Sequence, residues 1–220
     1  MKRRIPTAPP HRHTSHLLAY YPYSQITNGK DPELTEAVRT TIEHRLAAEG
    51  WEDTEWSRAN MVCFYARLKD AAKAEESLNI LLTDFARENL LTISPEGIAG
   101  APFDVFIFDG NAAGAAGLAE MLVQAHEGYV EILPCLPTEW KDGSFSGLCV
   151  KGGTLRERWC RSVGRMERQP GGESLVEGHG GQPVPPASAR GKGLCNPPEW
   201  EKVGAQLGRG PLRGGLFEKR

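Results

Sequence analysis

Asp31-Pro32-Glu33-Leu34-Thr35-Glu36-Ala37-Val38-Arg39-Thr40-Thr41-Ile42-Glu43-His44-Arg45-Leu46 decides the fold class. Asp31 suits an N-cap, Pro32 suits the first helical position, and Glu33 puts a carboxylate near the positive end of the helix dipole. Leu34, Ala37, Val38, Thr41, Ile42 and Leu46 then recur at helical spacing, which gives the segment one apolar face. The same grammar continues downstream. A second helix is predicted from about Ser57 to Leu68, with Met61, Val62, Phe64, Tyr65 and Leu68 on its buried side. Lys69-Asp70 forms a short turn, and Asp70 caps a third helix carrying Ala74, Leu78, Leu81 and Leu82. A fourth helix is predicted to start near Ala112 and to carry Ala115, Leu118, Ala119, Leu122 and Ala125. Helices joined by short turns run antiparallel to their neighbours. Residues 1–126 therefore read as mainly α.

The character changes after that. Tyr129 to Leu133 reads as a strand that Pro134 and Pro137 break; Lys141 to Ser144 reads as a turn, and Phe145 to Val150 as a second strand. Two strands alone are marginal, so residues 127–160 are expected to begin a larger β unit. Residues 161–220 hold 13 Gly and 7 Pro, a third of the segment, and no Ile, Thr, Tyr or Asp. That composition buries too little apolar surface to offset the entropy of ordering the chain, so a disordered tail is expected there.

The 220-residue chain is 25% charged and 40% hydrophobic, in the range of a soluble globular protein. A formal net charge of -2 gives no electrostatic case for nucleic acid or an anionic membrane. No apolar run reaches the ~18 residues of a transmembrane helix. Met1-Lys2-Arg3-Arg4 is basic, but the Pro- and His-rich text that follows supplies no apolar core, so no export signal is expected. The five cysteines, Cys63, Cys135, Cys149, Cys160 and Cys195, form no C-x-x-C pair. They read as core or loop cysteines rather than as a zinc site or a disulfide framework. His11, His13 and His16 lack a carboxylate or Cys partner in their pattern, so they read as polar positioning residues, with no metal and no cofactor expected.

Three segments carry a family resemblance. The first is His11-Arg12-His13-Thr14-Ser15-His16-Leu17, followed by Tyr21-Pro22 and Ile26. The second is Trp56-Ser57-Arg58-Ala59 with Ala66-Arg67-Leu68. The third is Phe106-Ile107-Phe108-Asp109-Gly110-Asn111, then Gly117 to Leu122, His126-Glu127-Gly128, Leu133-Pro134, Leu136-Pro137 and Glu139-Trp140. In order and spacing they resemble the C-terminal part of the catalytic domain of glycoside hydrolase family 95, the 1,2-α-L-fucosidase-like family. The similarity covers roughly residues 10–153.

The resemblance implies part of an (α/α)6 toroid, a ring of antiparallel helical hairpins, followed by a β-rich domain. It implies inverting hydrolysis of terminal α-L-fucosides, in which an acid protonates the leaving oxygen and a base ~6.5–9.5 Å away activates water. The family's base falls on Asp109, its sugar-reaching Arg-His pair on Arg12 and His13, and the Asn of its D-G-N motif on Asn111. The partner implied is a fucosylated oligosaccharide or glycan, and the compartment is extracellular or vacuolar. On the residues alone, Asp109 sits in a turn before a helix that it could simply cap, with Gly110 letting the backbone bend. Glu120 reads as an internal hydrogen-bond partner, and Trp56 and Trp140 as core or sugar-stacking residues.

Departures from the family pattern bear on the chemistry. The family's general acid is a Glu well upstream of its H-R-H motif, outside this chain, so an incomplete enzyme is expected. Glu55 stands where the family has Gly before Trp56; Ala112-Ala113 and Ile107 also differ from its motif. After Gly153 the text departs from the family's strands in a manner consistent with a shifted reading frame. The alternative reading is a catalytically inactive fragment, or a helical scaffold that binds a partner through an exposed face.

Overall fold

A computed structural model describes residues 11–150 and, as backbone, the strands at 153–162, 165–168 and 175–178. In chain order these residues form α1 (Pro32–Leu46), α2 (Glu55–Arg67), α3 (Ala71–Asp84), β1 (Ile93–Ser94), β2 (Val105–Phe106), α4 (Phe108–Leu122), β3 (Val123–Gln124), β4 (Glu131–Ile132), β5 (Asp142–Val150), β6 (Gly153–Ser162), β7 (Arg165–Arg168) and β8 (Leu175–Gly178). The part up to Leu122 is mainly helical, as the sequence pattern requires.

α2 is the central helix. Met61 to Leu68 are all buried, and a helix enclosed on every side belongs in a core. A capping box starts it: Thr54 Oγ1 accepts from Ser57 N at 3.2 Å, and Ser57 Oγ accepts from Thr54 N at 2.8 Å. A left-handed residue ends it. Lys69 has φ +58°, its N–H donates to Ala66 O, and Asp70 N donates to Tyr65 O at 3.0 Å. Asp70 then caps α3 by accepting from Lys73 N, as its sequence position suggested, and also takes Arg39 Nη1 of α1 at 2.8 Å. α1 and α3 run antiparallel to α2. Around this helix Tyr20, Val38, Ile42, Phe64, Tyr65, Leu78 and Met121 form the main core.

α4 runs parallel to α2. Glu55 meets Gly110 near the N-termini, Val62 meets Gly117 in the middle, and Arg67 meets Glu120 toward the C-termini. The buried face of α4 is Gly110, Gly114, Gly117 and Met121, a stripe at helical spacing. Of the residues read as its apolar face Leu122 is buried as well, but Ala115 and Leu118 are exposed, which corrects that part of the reading. The sequence reading chose the larger apolar side chains, whereas close approach of two helices favours the smallest. A Cβ on Gly117 would lie 2.7 Å from Val62 Cγ1, and one on Gly114 2.7 Å from Leu81 Cδ2.

The far ends of α2 and α4 are fastened by buried polar contacts. Arg67 gives Nη2 to Glu120 Oε1 at 3.0 Å and Nε to Oε2 at 3.3 Å, and Nη1 to Tyr20 O at 2.7 Å. Glu120 is thus the internal hydrogen-bond partner read from its position. Gln124 Nε2 donates to Ala66 O at 2.8 Å.

Small antiparallel pairs follow. β1 pairs with β2, Ile93 opposite Phe106; β3 pairs with β4, Val123 opposite Ile132. β5 and β6 form a hairpin whose register slips between Ser146 and Leu148, where Gly147 takes φ +83° as the turn of the strand demands. β7 and β8 pair with opposite ends of β6. Four further differences from the sequence reading stand out. α4 begins at Phe108 rather than near Ala112, because Gly110 is held between Glu55 and Thr92 within the helix. β5 begins at Asp142, where a turn was expected, because its residues pair as far as Cys160. Leu34 and Ala37 of α1 are exposed, and only Val38 and Ile42 are buried. Two short strands, β7 and β8, and the last two residues of β6 lie in the span expected to be disordered; the rest of 161–220 lies outside the described residues.

Gly117→Ala tests the close packing. Helix propensity alone would favour Ala by ~1 kcal/mol, but overpacking a tight core costs about 1–3 kcal/mol. The expected outcome is a net loss of stability in denaturant titration. Val62→Ala should absorb part of that loss, so the double variant is expected to lose less than the sum of the two single ones.

Candidate active site

The N-terminal ends of the parallel helices α2 and α4 bring distant sequence motifs together. His13, from the segment before α1, stacks on His11 with centroids 4.4 Å apart and leans on Trp56 at 5.0 Å. Trp56 follows Glu55, the first residue of α2. Glu55 lies against Gly110, whose added Cβ would sit 2.9 Å from the Glu55 Cβ, and it feels the charge of Asp109. His13 and Asp109 are 96 positions apart in sequence, and each stands beside the first turn of α2, His13 against Trp56 and Asp109 next to the glycine that packs on Glu55.

The His11–Thr14 segment is pinned in place. Arg45 Nη1 donates to His11 O at 2.7 Å, His13 N donates to His11 Nδ1 at 3.2 Å, and Arg12 Nη1 pairs with Glu52 Oε2 at 2.7 Å. Arg12 is half-buried, so its fork is aimed by Glu52 rather than left to sweep solvent. His13 is exposed; the slight desolvation it meets, with His11 and Arg12 beside it, lowers its pKa from the ordinary value, and Glu52 opposes this. The lowering favours the neutral imidazole, which has one N–H to donate and one nitrogen to accept.

Asp109 lies in the first turn of α4, whose N-cap is Ile107. It is neither in a turn before the helix nor its cap, and Gly110 is buried within the helix rather than at a bend. The carboxylate is exposed at the positive end of the helix dipole, a favourable place for negative charge. Asn111 is committed to the scaffold: its Oδ1 accepts from Thr92 N at 3.0 Å and Thr92 Oγ1 at 2.9 Å, and its Nδ2 donates to Leu90 O at 2.7 Å. It clamps the 90–92 segment against α4. Thr92 and Glu52, which hold Asn111 and Arg12, were not found from sequence; long-range pairs of this kind leave no local pattern.

Glu55 is the unexpected member. It is 1% exposed, and its Oε2 has no hydrogen-bond partner. Burial raises its pKa above the ordinary carboxylate value, and the nearby charge of Asp109 adds to that. The N–H groups of Glu55 and Trp56 and the Ser94 hydroxyl oppose the rise. Among the described residues no three His, Cys, Asp or Glu side chains group as metal ligands, and no helix is long and apolar enough to cross a membrane.

Residues 4–122 match the glycosyl hydrolase family 95 catalytic domain, and residues 124–163 match the glycoside hydrolase family 95 C-terminal domain. The chain belongs to glycoside hydrolase family 95. It is 34% identical over 162 residues to "Alpha-L-fucosidase 2" of Arabidopsis thaliana, covering 68% of this chain and 18% of that protein. It is 28% identical over 155 residues to "Probable alpha-fucosidase A" of Aspergillus niger, covering 65% of this chain and 19% of that one. The chain thus spans about a fifth of the length of these relatives.

Glu55→Gln tests the buried carboxyl. Below the unfolded-state pKa, folded and unfolded forms both hold the proton and the side chain contributes no pH dependence. Because the folded pKa is raised, the folded protein binds more protons above that point, and stability falls as pH rises toward the folded pKa. Gln does not titrate. In paired thermal melts, the advantage of Glu55→Gln over the parent is expected to be larger at pH 7.5 than at pH 4.5.

Proposed function

We propose that this chain carries the base-bearing part of an inverting α-L-fucosidase site. Asp109 activates the attacking water, and Arg12 and His13 hold hydroxyl groups of a terminal fucosyl unit on a fucosylated glycan. The observation that carries this reading is that His13 leans on Trp56 and Glu55 packs on Gly110, the residue beside Asp109, at the N-terminal ends of α2 and α4. Two parallel helices flanked by antiparallel ones are also the repeating unit of an (α/α)6 toroid, and we assign α2 and α4 to its inner ring. An oriented Arg fork and a neutral imidazole supply the mixed donors and acceptors that sugar hydroxyls need. Asn111 serves by fixing the 90–92 segment at the rim, and the family's compartment, extracellular or vacuolar, is part of the same reading.

A second reading has its own support. Phe103, Phe106, Phe108, Leu90 and Leu91 are exposed around the start of α4. Exposed apolar patches mark interaction surfaces, which suits a scaffold that docks a partner and does no chemistry.

An aryl α-L-fucoside separates the two, because its good leaving group needs little acid assistance. Followed by proton NMR, hydrolysis is expected to release β-L-fucose first, and Asp109→Asn is expected to slow it by ~10²–10⁴-fold. Equal rates in the two proteins, or release of the α anomer first, would overturn the base assignment. A chain that neither turns over the fucoside nor shows fucose-dependent shifts at His13 and Trp56 supports the scaffold instead.

A further inference from the structure

We propose that Glu52 is a specificity-determining residue: its ion pair with Arg12 cancels the charge of the guanidinium fork and reserves that fork for uncharged hydroxyl groups, so that anionic sugars are turned away. The proposal deepens the fucosyl reading of Arg12 and His13 and rests on it for the identity of the sugar. It stands on a direct contact. Arg12 Nη1 donates to Glu52 Oε2 at 2.7 Å, and the two side chains are 21% and 38% exposed, so the pair faces solvent. Glu52 lies in the loop that leads into α2 and to Trp56, the ring on which His13 leans. Arg12, His13 and Glu52 thus share one patch.

An arginine fork left to itself is a site for carboxylates and tetrahedral oxyanions, which it holds by parallel N–H donors and by opposite charge. Glu52 removes both advantages. It takes one N–H of the fork, and it sets a negative charge where an anion would have to come. A neutral hydroxyl is not repelled, and a group with five N–H donors still has others to offer it. The neighbouring charges leave this balance to Glu52. Asp53 and Arg58, on the same approach to α2, are closed on each other. Arg45 is directed at the His11 carbonyl, which takes its Nη1 at 2.7 Å, and Asp109 adds an exposed carboxylate at the start of α4. Nor is the pair needed as a brace. Arg45 and the stacked rings of His11, His13 and Trp56 already hold the segment, and an ion pair this exposed adds little to stability.

The experiment is NMR titration of the whole chain with two probes, inorganic sulfate and L-fucose, at low and constant ionic strength, read at Arg12, His13 and Trp56. The proteins are the parent, Glu52→Gln, Glu52→Gln with Arg12→Gln, and Glu76→Gln, which removes the same charge from an exposed position of α3. Glu52→Gln is expected to tighten sulfate binding by at least ~5-fold, the factor that one unit charge at ~4 Å contributes even in bulk water. The gain is expected to vanish when Arg12 is also replaced, and to be missing from Glu76→Gln. Fucose affinity is expected to change less than sulfate affinity in Glu52→Gln. Sulfate binding that is equal in parent and Glu52→Gln, or absent from both, overturns the proposal. So does a gain that persists without Arg12 or is matched by Glu76→Gln, since a purely structural Glu52 or a general loss of negative charge would give those results. A parent without fucose-dependent shifts removes the fucosyl reading instead, and the sulfate arms still decide whether Glu52 screens the fork.

Discussion

The close contact between α2 and α4 is the constraint from which the rest of this structure follows. Two glycines of α4, Gly110 and Gly117, lie against Glu55 and Val62 of α2 so closely that an added Cβ would come within 3 Å of each. Because the helices approach so nearly, their N-terminal ends are held side by side, and so are the residues those ends display. The same closeness explains the polar fastening at the other end. Arg67, 5% exposed, can be buried there only because Glu120, Tyr20 O and the Tyr21 ring meet its charge and its donors. Removing one member of such a pair typically costs about 3–5 kcal/mol, since the other is left charged and buried.

Two carboxyl groups within one residue of the same interface illustrate how depth separates chemical roles. Asp109 stands in solvent at a helix start, where charge is welcome. Glu55 stands at the start of the neighbouring helix and could draw on the same dipole, yet enclosure dominates and favours its neutral form. The difference is produced by packing rather than by residue type.

Much of the fold was legible in the sequence. The Pro32 start, the Asp70 cap and the apolar spacing of Met61 to Leu68 are local signals, and each has the structural role its chemistry suggests. The buried face of α4 was not legible, because a glycine stripe has no hydrophobic signature; only the neighbouring helix makes it meaningful. α4's start was misplaced for the same reason: Asp109-Gly110-Asn111 is turn-like text that tertiary packing holds in a helix. At the candidate site, the motifs named Arg12, His13 and Asp109, but not what aims them. Glu52 lies 40 positions from Arg12 and Thr92 lies 19 from Asn111, separations over which no spacing rule operates. Glu55 was visible only as a departure from a family pattern, and its environment had to be seen to give the departure a meaning.

The seam where α4 becomes β3 has a bearing on how such proteins divide. The catalytic-domain match stops at residue 122 and the C-terminal-domain match resumes at 124, yet no linker separates them. Leu133 N donates to Leu122 O at 2.7 Å and Cys135 N to Met121 O, and Leu122, Val123, Val130 and Leu136 share one apolar cluster. Cys135 belongs to the main helical core itself. The inherited modules and the cooperative folding unit therefore have different borders. A chain ended at Leu122 would keep the whole catalytic match while stripping away part of its own interior, so recombination between family members at that border would cut through a shared core.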